Sequence, residues 1–108
     1  MECYERGVIS PEQAEGLELR FGNAEAQLEL IRRIAFREGL LGDLLAEGTQ
    51  RASAEVGGDS WKWAIQAKGL EQSAVDTRAA KSYALAFAVN PRGPDHLMTE
   101  TYAEFGFT

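Results

Sequence analysis

Apolar positions along this chain recur mostly with helical spacing. Between Asn23 and Gly39, residues Ala24, Leu28, Ile31 and Ala35, with Ile34 adjacent, repeat at intervals of three and four. That spacing predicts an amphipathic helix with this stripe inward, capped by Asn23 and stopped at Gly39. Asp43 offers the next cap, and Leu44, Leu45, Ala52 and Val56 can share a buried side until Gly57-Gly58 ends the element. Gly48 lies inside it at a cost of about 1 kcal/mol relative to alanine, which suggests close packing at that point. The alanine-rich run from Ala79 to Val89 predicts a third helix, ended by Asn90-Pro91 and Arg92-Gly93-Pro94. Two shorter elements precede these. Glu2 to Arg6 reads as the last turn of a helix closed by a left-handed Gly7, and Ser10-Pro11-Glu12-Gln13 reads as a capping box opening a short helix to about Glu15. Against this helical background, Trp61, Trp63 and Ile65 alternate with Lys62, Ala64 and Gln66, the period of a strand with one covered face. The tail from Thr99 to Thr108 carries Tyr102, Phe105 and Phe107 without a clear period, apolar enough to call for a partner surface.

The expected architecture is therefore mainly α, a small helical domain with one short accessory strand or hairpin. A length of 108 residues with 44% hydrophobic content fits a single domain, 1–108, with one modest core. The net charge of -6, with basic residues dispersed, disfavours a polyanion and sets nucleic acid aside. No window approaches the roughly 20 apolar residues that cross a bilayer, and no basic leader with an apolar run opens the chain. A soluble protein without a membrane partner is expected. Cys3 is the one cysteine, so no intramolecular disulfide can form, and the composition fits a reducing cytoplasm.

Candidate chemistry centres on His96, the one histidine, set in a loop rich in Gly and Pro. Such a loop can present an imidazole to a pocket as proton donor or acceptor, because the ring titrates near neutral pH. The plainer alternative is a surface histidine paired with Asp95. Asp76 and Arg78 can pair with each other, or Asp76 can cap the following helix, and capping is the favoured reading. Arg92 carries a planar fork suited to a phosphate or carboxylate but in a turn is by default solvated, and Glu71 is by default hydrated. Trp61 and Trp63 read as a core-facing pair rather than a ligand box. Neither Ser73 nor Ser82 has a nucleophile signature, which ranks a small hydrolase built on His96 last.

In order along the chain stand Lys68-Gly69-Leu70-Glu71, then Asp76-Thr77-Arg78, then the alanine-rich helix, then Arg92-Gly93-Pro94-Asp95-His96-Leu97. This order resembles the C-terminal, cofactor-enclosing half of the tungsten-dependent aldehyde ferredoxin oxidoreductases. There a Lys-Gly-Leu-Glu strand, an Asp-x-Arg turn and a helix lead to Arg-Gly-x-x-His-Leu beside the metal. Glu2-Cys3-Tyr4-Glu5-Arg6-Gly7-Val8-Ile9 also looks like the end of that family's helix after its pterin-binding aspartate. The resemblance runs from Glu2 to about Leu97 and implies that His96 lies near the metal, where it assists aldehyde oxidation; it makes His96 the catalytic candidate. The full-length family carries tungsten or molybdenum on two pterins and a 4Fe-4S cluster, and passes electrons to ferredoxin.

The resemblance also implies that the first three cluster cysteines and first pterin motif lie upstream of this sequence, and the second motif and fourth cysteine beyond it. Cys3 matches none of them, and one thiolate cannot hold a four-iron cluster. The chain alone is expected to bind no metal or other cofactor and to be inactive, with no cofactor-binding residue assigned. Two departures stand out. Ala79, Ala80, Lys81 and Ser82 occupy the place of the family's glycines, and Asp95 precedes the histidine where some members have cysteine or alanine. The leading expectation is a segment of an aldehyde ferredoxin oxidoreductase-like protein, partnered by the remainder of such a protein. The alternative is a non-catalytic helical interaction or oligomerisation module that docks on another subunit or a second copy of itself.

Overall fold

Asn23 does what its position predicts: its side chain accepts from the Ala26 amide and opens α2, Ala24–Phe36. A computed structural model describes residues 1–98 and 104–106; Tyr102 and Phe107 of the predicted apolar tail lie outside the described residues. The chain divides into two compact units, residues 1–64 and 65–108. Among the described residues the fold is mainly helical with one small hairpin, as the spacing predicts. No helix among them is long and apolar enough to cross a membrane.

The first unit begins with α1, Glu2–Glu5, which ends at Arg6 and a left-handed Gly7. Ser10 and Gln13 form the predicted capping box, with the Gln13 amide donating to Ser10 Oγ at 3.2 Å and the Ser10 amide donating to Gln13 Oε1 at 2.9 Å. The helix expected after it does not form. Residues 11–16 are turns, because Glu15 and Gly16 both take positive φ, 53° and 81°, and reverse the chain. In α2 the inward stripe is Ala26 and Leu30, joined by the predicted Ile34, which is half-buried; the other predicted members, Ala24, Leu28, Ile31 and Ala35, are exposed. At about 100° per residue these two stripes lie on nearly opposite faces, so Leu28 and Ile31 point outward, 68% and 53% exposed. The helix is apolar on both sides, and periodicity cannot choose between them. It ends at Phe36 with Arg37 in the left-handed region (φ 52°), two residues before Gly39.

Gly39 opens a helix instead of stopping one. α3 spans Gly39–Ala46 and α4 spans Thr49–Val56, where the pattern predicts one continuous element. Gly48 separates them, with φ 90° and ψ 163°, a conformation that breaks a helix and favours glycine. The glycine that marks close packing is Gly42. A Cβ there would sit 2.7 Å from the Arg33 carbonyl oxygen, so α3 crosses α2 backbone against side-chain-free backbone. Ile9, Ala14, Leu19, Ala26, Leu30 and Leu41 form the core of this unit, with Leu45 and Val56 packed against it. Of the predicted strand at Trp61–Gln66, Trp61 and Lys62 belong to a 3₁₀ turn over Ser60–Lys62, Trp63 to Ile65 are turn and irregular chain, and Gln66 alone is in a strand. Of the two indoles only Trp63 is half-buried, donating to Cys3 Sγ at 3.1 Å beneath the Arg6 guanidinium, while Trp61 is 66% exposed.

The second unit holds the hairpin, β1 (Gln66–Ala67) and β2 (Leu70–Glu71), antiparallel with Ala67 opposite Leu70. Lys68 and Gly69 form its two-residue turn with φ 58° and 80°, the double left-handed pair of a type I′ connection. α5 spans Lys81–Val89, two residues shorter at its start than predicted. Its first amides are capped from far along the chain: Glu104 accepts from the Lys81 and Ser82 amides at 2.8 and 2.9 Å and from Ser82 Oγ at 2.5 Å.

Gly42→Ala sets two effects against each other. Helix propensity favours alanine by up to about 1 kcal/mol, whereas a methyl group against a backbone carbonyl costs about 1–3 kcal/mol. The variant is expected to unfold at lower denaturant concentration than the parent; an equal or higher midpoint would show that the two helices can part without cost.

Candidate functional site

The loop after α5 owes its shape to two buried polar side chains, Asn90 and Asp95, each 7% exposed. Asn90 Oδ1 accepts from the Arg92 amide at 2.9 Å and its Nδ2 donates to the Asp95 carbonyl at 3.3 Å. Asp95 Oδ1 accepts from the Leu97 amide at 2.9 Å, and Oδ2 pairs with the Arg92 guanidinium. The Leu97 amide first, then Arg92, hold the Asp95 carboxyl below its ordinary value of 3.8. Arg92, expected to be simply solvated, is thus a partner of Asp95 while its side chain stays 60% exposed.

The hairpin holds this loop from the other side. Lys68 Nζ donates to the Pro91 carbonyl at 3.0 Å and the Asn90 carbonyl at 3.3 Å, just past the C-terminal end of α5, where a cation is favoured. Gly93, at φ 124°, lies so close to the hairpin that a Cβ would meet the Ala67 carbonyl oxygen at 2.8 Å and Leu70 Cβ at 3.0 Å. Ser73 completes the clasp, its amide donating to the Pro94 carbonyl at 3.2 Å and its Oγ lying 2.9 Å from His96 Nδ1. The Lys-Gly-Leu and Arg-Gly-x-x-His segments, some twenty residues apart in sequence, are therefore in direct contact.

His96 sits on the following 3₁₀ turn, His96–Met98, with its side chain 47% exposed and Nδ1 4.0 Å from Asp95 Oδ1. A cavity of about 200 Å³ lies at the end of α5, lined by Ala86, Val89, Asn90 and Pro91, and His96 is not on its wall. Asp76 and Arg78 are not drawn into the site. The favoured capping role does not hold, since α5 starts at Lys81 and takes Glu104 as its cap. Asp76 instead accepts from the Arg78 amide and guanidinium at 2.9 Å, which holds its carboxyl down to about 2. A second cavity, about 160 Å³, lies in the first unit between Leu19, Leu30, Leu41, Ala52 and Trp63, with Cys3 on its wall.

Residues 1–107 match the family model described as aldehyde ferredoxin oxidoreductase, domains 2 and 3. The chain belongs to the aldehyde ferredoxin oxidoreductase family. It matches no curated protein and no solved structure at a significant level. Within this aldehyde ferredoxin oxidoreductase segment, the donor set does not suit a four-iron cluster. Its single thiol receives the Trp63 indole N–H, and no group of three or more His, Cys, Asp or Glu side chains that could hold a metal occurs among the described residues. A four-iron cluster needs several thiolates, normally four, so it cannot be held by these residues. Sequence reasoning missed Ser73, Asn90 and Lys68 as partners of the His96 loop. Only the short spacing of Asn90 to Arg92 hinted at any of them, as an Asx-type turn.

Asp95 gives a pH test with a definite sign. Its value is depressed in the fold, so its contribution is present above the unfolded value of about 3.9 and is lost as pH falls through the lower folded value. In an acid titration followed by NMR, the Leu97 amide is expected to move in that window in the parent chain and to stay flat in Asp95→Asn. An unchanged Leu97 signal in the parent would remove the carboxylate from this account.

Proposed function

We propose that this chain is a segment of a cytoplasmic enzyme that oxidises aldehydes to carboxylic acids, with tungsten or molybdenum bis-pterin and a 4Fe-4S cluster held elsewhere, and ferredoxin as electron acceptor. The observation that carries this reading is the family match over residues 1–107, which spans the hairpin and the His96 loop alike. In the net reaction an aldehyde and water give the acid, two electrons and two protons. His96, exposed on a loop held by the Lys68–Gly69 hairpin, is our candidate for moving a proton at the reacting carbonyl. One cysteine cannot supply the several thiolates of a four-iron cluster, so in this reading catalysis requires the remainder of the family's protein.

A dye-reduction assay with an aldehyde substrate tests this directly. The chain alone is expected to reduce no viologen, and the chain completed by the family regions that carry the cluster cysteines and pterin motifs is expected to do so. In the completed enzyme His96→Asn should lower kcat by about 10²–10⁴-fold, the usual size of a general acid–base contribution. Activity of the chain alone would overturn the reading of incompleteness, and an indifferent His96→Asn would overturn the proton role.

One observation favours a second reading, a non-catalytic module that docks on a second copy of itself. Phe36 and Leu40 are 71% and 85% exposed, in addition to Leu28 and Ile31 on the outward stripe of α2, and exposed large apolar side chains of this kind suit a partner surface. Light scattering on the purified chain should give a dimer mass if this reading holds; a monomer at high concentration contradicts it.

A further inference from the structure

We infer that Ser73 is a positioning residue that holds His96 with its proton on Nδ1, so that the Nε2 lone pair faces outward as a proton acceptor. Its catalytic meaning rests on the proton role proposed above, whereas its structural content does not. The argument begins with the contact itself. Ser73 Oγ lies 2.9 Å from His96 Nδ1, and a hydroxyl can either donate to that nitrogen or accept from it. The charge nearby decides which. Asp95 Oδ1 lies 4.0 Å from the same nitrogen, and its carboxylate is kept ionised by the Leu97 amide and Arg92. A negative charge at that distance favours the proton on Nδ1 over a bare lone pair there. Ser73 Oγ then accepts from Nδ1–H, and its own hydroxyl proton turns to solvent.

Ser73 is well placed to impose this. It is half-buried, and its amide is tied to the Pro94 carbonyl at 3.2 Å, two residues before the imidazole, so side chain and backbone grip the same loop. No hydrogen bond among the described residues uses His96 Nε2. The ring nitrogen opposite the one that is hydrogen-bonded is the one available for chemistry, and its state is set by the bond its neighbour makes. An unrestrained neutral histidine prefers the other tautomer, with the proton on Nε2, so the inference predicts a departure from default behaviour.

Long-range ¹⁵N–¹H NMR on the full 108-residue chain, at a pH where the ring is neutral, reads the tautomer without any turnover. The parent is expected to show mainly the Nδ1–H pattern, Ser73→Ala to revert to mainly Nε2–H, and Ser73→Thr, which keeps the hydroxyl, to restore the parent pattern. The backbone amide spectrum of each variant verifies that the fold is kept. A parent ring that is mainly Nε2–H, or a Ser73→Ala spectrum identical to the parent, overturns the inference. In the completed enzyme Ser73→Ala should lower kcat about tenfold with KM unchanged, a fraction of the full proton-transfer contribution. A kcat unaffected by His96→Asn would defeat the proposed proton role alone, since the NMR readout is independent of it.

Discussion

The Asp95 carboxylate is the contact on which the site depends. Nearly withdrawn from solvent, it takes the Leu97 amide on one oxygen and the Arg92 guanidinium on the other, and so closes the Asn90–Leu97 loop into one shape. Burying a carboxylate is costly unless its charge is met by donors, and here both oxygens are met. Asn90 does the same for the first half of the loop. Because the loop is closed internally, the hairpin can grip it through only a few contacts, the Lys68 ammonium, the bare Cα of Gly93 and the two groups of Ser73. The ordering of His96 is a consequence of this arrangement rather than a property of its own turn.

This arrangement gives physical content to the residues that first suggested the family. Gly69 allows the type I′ turn, and Lys68, in a left-handed conformation unfavourable to a side chain, is compensated by its reach to two carbonyls. Gly93 is glycine because any side chain would strike the Ala67 carbonyl. By contrast, Asp76 and Arg78 satisfy each other at the surface, and nothing in their geometry on this chain ties them to the His96 loop.

The helical class, the Asn23 cap, the capping box at Ser10 and the run before Asn90 were all legible in the sequence, because each rests on local chemistry. What was not legible depended on distant partners. The stripe of α2 that turns inward packs with Leu19 and Leu41, partners that its own periodicity does not reveal. Gly48 looked like a tolerated interior glycine, yet its φ of 90° divides two helices, while Gly42 drew no notice although it permits their neighbour to approach. Trp61 and Trp63 alternate as a strand would, but a 3₁₀ turn places one indole outward and the other on Cys3. Ser73 and Glu104 reach partners more than twenty residues away, a separation no short motif encodes. Family membership was legible from the order of short segments along the chain, and the family match spans them all.

The central claim is that the contacts of Asp95, Ser73 and Lys68 hold the imidazole of His96 in one orientation on this chain. Three-bond scalar couplings that report χ1 of His96, measured near neutral pH, test it most directly. The account predicts values of a single staggered rotamer, as expected for a side chain fixed by its neighbours. Values averaged over several rotamers would show a ring that samples solvent, and would contradict it.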